Sequence, residues 1–440
     1  MEDFLLYASY CLYIIIGIST ILFFCFYGRR MSWWNGSKKP QKRLVNPQKT
    51  HFAIIVPARN EAKAIGELIE SIKKQTYDKA YFDTVIVVKE EEDPTIEMVK
   101  EINAITYVDK EQNNKGHALN YALKALLKEY PNKYDAFVFI DADCVLDDYY
   151  LEEMNNAMAS GADVINSRLI VKNYLIKGHK GNTWASRCNG LIWPMLNEMG
   201  NRKKSDLGIT LFTLGTGLVI RNNLIESWGG WPFCQTMTED GELARECALY
   251  GYKTFYYEYA LCYVEEARSL HITNIRRQRW MEGVIHCDRL YNKRIKKMNT
   301  KQSFLDWYSF HNLYYTYAYF GTLFVVSVIS VVFWIMSLVN GYNMISPLAL
   351  GSLFTSVLIT YFFYMFLALY ATLAGGKYIK THRINKFIIV ITYPFYHMWY
   401  IKVMAKALFW RKSKKWKVIK RVDFNRGKRR EVVSHNDKEV

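Results

Sequence analysis

Between Trp307 and Gly376 the sequence has no Asp, Glu, Lys or Arg, a gap of 70 residues. A chain this apolar over that length is not disordered, and a soluble globule would not leave so long a stretch without charge. Cysteine is sparse and unpatterned. The eight residues are scattered, with no C-x-x-C and no histidine at zinc-ligand spacing, so neither a disulfide scaffold nor a zinc module is expected. Their thiols are expected to be reduced. No basic segment precedes the first apolar run, which follows Glu2 and Asp3, and no small-x-small site follows it. That pattern favours an uncleaved anchor over a cleaved signal peptide. Acid is in short supply as well: 41 Asp and Glu stand against 58 Lys and Arg, a net charge of +17 in 440 residues.

The positive charge is not spread evenly. Phe4–Tyr27 is a 24-residue uncharged run, long enough for a helix to cross a bilayer. Residues 28–50 then carry seven basic side chains and no acid, which places this flank in the cytoplasm and the N-terminus outside. The long gap is broken at Asn340–Pro347 by NGYNMISP, a turn signal. Two membrane helices are therefore expected, over Asn312–Leu338 and Leu348–Ala374. Lys377, Lys380, Arg383 and Lys386 return the chain to the cytoplasm. Residues 387–410 are apolar but hold Pro394, Lys402 and Lys406; a re-entrant or interfacial element is expected, with a third C-terminal crossing as the alternative. The tail, 411–440, has twelve basic and four acidic residues and is expected to lie against anionic lipid rather than nucleic acid. The resulting divisions are an anchor (1–27), a basic linker (28–50), a cytoplasmic domain (51–265), amphipathic interface helices (266–306), two membrane helices (307–376), the ambiguous segment (377–410) and the tail.

Within the cytoplasmic domain, Phe52–Val56, Thr84–Val88 and Ala136–Ile140 read as buried strands, and Ala62–Lys74 has helical periodicity. Strands alternating with helices give an α/β fold with a mixed, largely parallel sheet and helices on both faces. Asp141-Ala142-Asp143 follows the third strand directly, at the sheet end where such folds bind ligands. Paired carboxylates there suit Mg²⁺ or Mn²⁺ bridging to a diphosphate. Thr238-Glu239-Asp240 precedes a helical stretch, Gly241–Leu249, and Arg276-Arg277-Gln278-Arg279-Trp280 comes next.

Together with IVPARNE (55–61), KGHALN (115–120), LGTG (214–217), GGWP (229–232) and a C-terminal YPFY–ALFW segment, these motifs resemble the membrane-embedded, processive, inverting glycosyltransferases of family 2. Cellulose, chitin, hyaluronan and poly-N-acetylglucosamine synthases form that group. The resemblance implies a GT-A fold with transmembrane and interfacial helices, a UDP-sugar donor and a polysaccharide acceptor. Pro57, Ala58 and Glu61 would line the nucleotide, with Lys115 near the uracil or ribose and Asp141 toward the ribose. Asp143 would hold the metal. Asp240, flanked by Thr238 and Glu239, would be the base that deprotonates the acceptor. Arg276, Arg279 and Trp280 would meet the donor diphosphate and sugar, and Gly215, Thr216 and Gly217 would floor the acceptor site. Trp231 offers either a sugar-stacking face or a core ring. The second strand departs from the family pattern: Glu90 falls closest to the expected uridine carboxylate, with Asp93 as its rival. The export path is expected from this chain alone, from a homo-oligomer or from an export partner.

Overall fold

The computed structural model describes residues 1–35, 40–174, 181–298 and 300–409. Part of the basic linker and the whole basic tail lie outside the described residues. Strands β1 (Phe52–Pro57), β2 (Phe82–Val88), β3 (Ile105–Val108), β4 (Ala136–Phe139), β5 (Val145–Leu146), β6 (Val164–Val171), β7 (Leu218–Arg221) and β8 (Thr254–Val264) form one sheet in the order β3-β2-β1-β4-β7-β6-β8-β5. β1 is parallel to both β2 and β4, while β7 runs antiparallel to β4 and β6. The sheet is mixed, as expected, with its parallel half carrying the first motifs.

Helices follow in the order α1 (Glu2–Asn35), α2 (Ile65–Lys73), α3 (Thr95–Val99), α4 (Lys115–Glu129), α5 (Tyr150–Met158), α6 (Trp184–Gly190) and α7 (Ile192–Leu196). Then come α8 (Arg202–Asp206), α9 (Asn222–Trp228), α10 (Glu239–Tyr250), α11 (Leu270–Lys297), α12 (Lys301–Asn340), α13 (Ile345–Gly375) and α14 (Arg383–Phe409). Alternation along β1 explains why it reads as one apolar run. Phe52, Ile54 and Val56 pack into the core that includes α2 and α5, and Ala53 and Ile55 pack into the core under α4 and α10. A strand covered on both faces has no polar positions to give away its period.

The first of these cores continues without a break into the long helices, through Phe23, Phe320, Tyr364 and Ile389. Among the described residues, three helical stretches are long and apolar enough to cross a membrane: Glu2–Cys25, Tyr314–Asn340 and Ile345–Tyr378. They are tied by polar contacts, the half-buried Thr20 to the Tyr319 hydroxyl at 2.9 Å and the buried Ser330 to Ser352 at 2.7 Å. Where Pro394 suggested a break, α14 runs continuously from Arg383 to Phe409. It lies beside α6, with the Trp184 indole donating to Thr392 at 2.7 Å and Tyr396 donating to Asn189. Side-chain packing replaces what the missing proline N–H would have contributed, and the described part of this segment contains no reversal of the chain.

Candidate active site

The turn after β4 is closed by the Cys144 amide donating to the Asp141 carbonyl at 3.0 Å. Thr216 braces it from below: its hydroxyl accepts from the Asp141 amide at 3.0 Å and contacts the Cys144 thiol at 3.3 Å. Asp143 is 6 % exposed. Carboxylate oxygens of Asp141 and Asp143 and the Cys144 sulfur all lie within 4.8 Å of one another. Two hard oxygen donors in a buried turn fit a divalent cation such as Mg²⁺ or Mn²⁺. Cysteine spacing gave no hint that Cys144 would sit here.

Across the crevice, α10 begins with the second acidic motif. The Asp240 carboxylate accepts from the Gly241 amide at 2.8 Å, in the first turn of a helix where negative charge is favoured. Burial, and next the charge of Glu239, push Asp240 up to about 7, with Lys115 opposing them. A carboxylate that titrates near neutrality is suited to take a proton in one step and release it in the next.

Lys115 connects the two acidic motifs. It opens α4, which is capped by the Asn114 side chain accepting from His117 at 2.9 Å. Its ammonium lies 2.6 Å from Asp141 and 3.2 Å from Glu239, and donates to the Gly215 carbonyl. Burial alone would lower its pKa, but Asp141, Glu239 and Asp240 hold it above the ordinary lysine range. The structure therefore places Lys115 between the two acidic motifs. Gly215 lies between all of these groups: a Cβ there would stand 3.1 Å from Glu239, 3.2 Å from Lys115 and 3.4 Å from Asp240. Any side chain at 215 would fill the space in front of Asp240. Gly217 has φ +66°, and a Cβ there would meet the Ser167 hydroxyl at 2.3 Å. It serves the β6–β7 packing.

On α11, Arg279 is half-buried and faces Glu239, Asp141 and Asp240; desolvation lowers its pKa, and those carboxylates work the other way. Arg276 is engaged elsewhere. It donates to the Glu265 carbonyl at 2.9 Å and lies 3.8 Å from Glu266, fastening α11 to the end of β8. Trp280 is covered by Arg277, whose guanidinium carbon is 4.4 Å from the ring centre. Thr238 points away from the crevice, its hydroxyl 3.5 Å from both the Thr236 hydroxyl and the Cys287 thiol.

At the end of β1, Ala58 is buried with its amide donating to the Val87 carbonyl at 2.9 Å, and Pro57 ends the strand beside it. Glu61 is buried. Asp93 and Glu90 sit in different settings. Asp93 is buried and accepts from the Asn60 and Thr95 amides at 2.8 and 2.9 Å, clamping two loops together, whereas Glu90 is exposed. Trp231 is 2 % exposed, packed on Phe139 and Phe233 with its indole donating to the Phe233 carbonyl. Of its two readings the structure supports the core ring, because neither face is open to a sugar.

Several residues were invisible to motif reading: Cys144, Arg245, Gly283 and Cys287. Arg245 donates to the Gly241 carbonyl at 2.9 Å and to Asp288 on α11, so it fixes the start of α10 from behind.

In the known structures, a mannosyltransferase from Pyrobaculum calidifontis, solved with GDP-Man and Mn²⁺, is 18% identical, covers 90% of this chain and 100% of its own, and superimposes with a TM-score of 0.53. At that identity the likeness is one of fold. TarS from S. aureus, residues 1–349 with UDP, is 17% identical over 78% of this chain and 90% of its own, with a TM-score of 0.41, too low to support an argument. No curated protein matches the sequence. The family model for glycosyltransferase-like family 2 matches residues 47–283, more than half of the chain and the stretch that holds both acidic motifs and Arg279. The chain belongs to glycosyltransferase-like family 2.

Proposed function

We propose that this protein is a processive, inverting glycosyltransferase. It transfers sugar from a UDP-sugar to the growing end of a β-linked polysaccharide at the cytoplasmic face of the cell membrane, and passes the product outward. The observation that carries this reading is Asp240, titrating near neutrality beside an open floor at Gly215 and opposite the Asp141–Asp143 turn. The acceptor hydroxyl attacks the anomeric carbon as its proton passes to Asp240. The bond from that carbon to the diphosphate oxygen breaks, and UDP leaves with the electron pair. One in-line displacement inverts the centre and needs no covalent intermediate. A divalent cation held by Asp143 with Asp141 would supply charge neutralisation for the departing diphosphate. Arg279 adds a fixed positive charge on the same side. The Arg276–Trp280 segment, on a helix leading into the membrane stretch, supports processivity and cytoplasmic placement.

A second reading, transfer of a single sugar to a lipid or oligosaccharide, is favoured by one observation: the fold match over the whole length of a mannosyltransferase that binds GDP-Man. Purified protein in detergent, supplied with a panel of UDP-sugars and GDP-mannose and with Mg²⁺ or Mn²⁺, is expected to release nucleotide and to make long products on a gel. Asp240→Asn is expected to lower turnover about 10²–10⁴-fold, the range for a general base. No turnover with any donor, or full activity in Asp240→Asn, would defeat the proposal. A single-sugar product would select the second reading.

A further inference from the structure

The two motifs that meet over the crevice lie at the start of α10 and within α11, and Thr238 packs directly against α11. Thr238, two residues before Asp240, lies against Gly283, one helical turn beyond Arg279. A Cβ built on Gly283 would stand 2.4 Å from Thr238 Cγ2, 2.5 Å from its Oγ1 and 2.9 Å from its Cβ. No real Cβ tolerates such distances, and Thr238 cannot turn aside easily. It is β-branched, 7 % exposed, and its hydroxyl is held between Thr236 and Cys287. Cys287 is the next residue on the same face of α11, so the spacing 279, 283, 287 puts a guanidinium, a bare backbone and a small thiol in one row along the second acidic motif.

We infer that Gly283 is a positioning residue: the absence of a side chain there sets the separation between Asp240 and Arg279. This deepens the proposed function and rests on it. Glycine in mid-helix works against helix propensity, so local preference does not explain this position, and close approach does. With even a methyl group at 283, α11 must move away from α10. Arg279 moves with it, because both residues sit on the same rigid helix. The first turn of α10 is held on its other side, where Thr213 donates to the Asp240 carbonyl.

The test is a double-mutant cycle of Gly283→Ala with Thr238→Ala on the full-length protein in detergent. It is read as binding of UDP with Mn²⁺, as thermal midpoint, and as kcat and KM with whichever donor turns over. Gly283→Ala is expected to weaken UDP–Mn²⁺ binding about tenfold, comparable to losing one charge-assisted hydrogen bond. In the Thr238→Ala background, which removes the two nearest obstructing atoms and leaves only Cβ at 2.9 Å, the same substitution is expected to cost clearly less, about threefold, a coupling that independent sites would not show. Misfolding of Gly283→Ala would appear as a collapsed thermal midpoint that Thr238→Ala does not restore, and that result overturns the inference. Undiminished binding in Gly283→Ala, or an equal loss in both backgrounds, overturns it too. If the unaltered protein fails to bind UDP or to use any donor, the glycosyltransferase reading falls. The cycle in thermal midpoint then still decides whether residues 238 and 283 are in steric contact.

Discussion

Replacing Lys115 by Met tests the electrostatics of the crevice more sharply than removing any carboxylate. Methionine keeps the length and most of the volume while deleting the charge. In the native protein the ammonium contacts Asp141 and Glu239 directly. Its influence on Asp240 can be bounded. Both Nζ and the Asp240 carboxylate lie within 3.4 Å of the point where a Gly215 Cβ would stand, so they are within about 7 Å of each other, and unit charges at that distance couple by about 2 kcal/mol at an effective dielectric of ~20. At about 1.36 kcal/mol per pKa unit that is roughly 1.5 units. The sign follows from the charge. Lys115 favours the ionised form of Asp240, and burial and Glu239 disfavour it; without Lys115 the carboxylate holds its proton to higher pH. The base must be ionised to act, so kcat/KM should rise with pH through about 7 in the native protein. In Lys115→Met the rise should move alkaline by about 1–2 pH units. The assay is nucleotide release across pH 5–10 at low donor concentration, where the free enzyme is reported. A rise that stays in place, or moves toward acid, in a variant with measurable activity would refute this account of Lys115.

Two further outcomes check the packing around the site. Trp231→Ala is expected to lower stability by about 3–5 kcal/mol, as for other large core truncations, read as thermal midpoint in detergent. The folded fraction should keep its acceptor KM, and a large KM increase with unchanged stability would return Trp231 to the acceptor site. Asp288→Asn, which removes one charge of the buried pair with Arg245, is expected to cost about 3–5 kcal/mol. A change below about 0.5 kcal/mol would show that this pair does not hold α10 against α11.

The parallel half of the sheet was legible because its chemistry is continuous. Residues 52–56, 84–88 and 136–140 are apolar throughout, and the strands found there run Phe52–Pro57, Phe82–Val88 and Ala136–Phe139. The sixth strand was not legible. It holds Asn166, Ser167 and Arg168 at its centre, acceptable only because Asn166 donates to the Phe212 carbonyl and Arg168 pairs with Glu198 and Glu258. Those partners are distant in sequence, so no local pattern shows them. Helix α2 begins at Ile65 rather than Ala62 because Asn60 takes φ +57° with its amide on Asp93. The acidic motifs could be found by spacing, since a D-x-D turn at a strand end is local. The direction of Thr238 could not, because which side of a helix start faces a ligand is set by what packs on the other side, here Gly283 and Cys287. Arg276 and Trp231 show the same rule: a motif identifies a segment, and packing decides which of its side chains remain available.

The packing that hides these side chains also connects the crevice to the long apolar helices. Arg245 holds the carbonyl beside Asp240 and pairs with Asp288 on α11. On the same helix, Met281 and Ile285 pack against Tyr314, the first residue of the second apolar span. Asn292, one turn beyond Asp288 on α11, bonds the His311 ring at 2.7 Å. The basic end of α11, with Arg294, Lys296 and Lys297, then leads through Thr300, which caps α12, into the charge-free gap. A shift of the apolar helices therefore has a short route to Asp240, through contacts whose partners are buried or half-buried. Had the two halves been joined by a flexible linker, the position of Asp240 would be independent of the helices around it. With α10, α11 and α12 fastened in series, the position of Asp240 and the seating of the chain in its apolar surroundings are set by the same contacts.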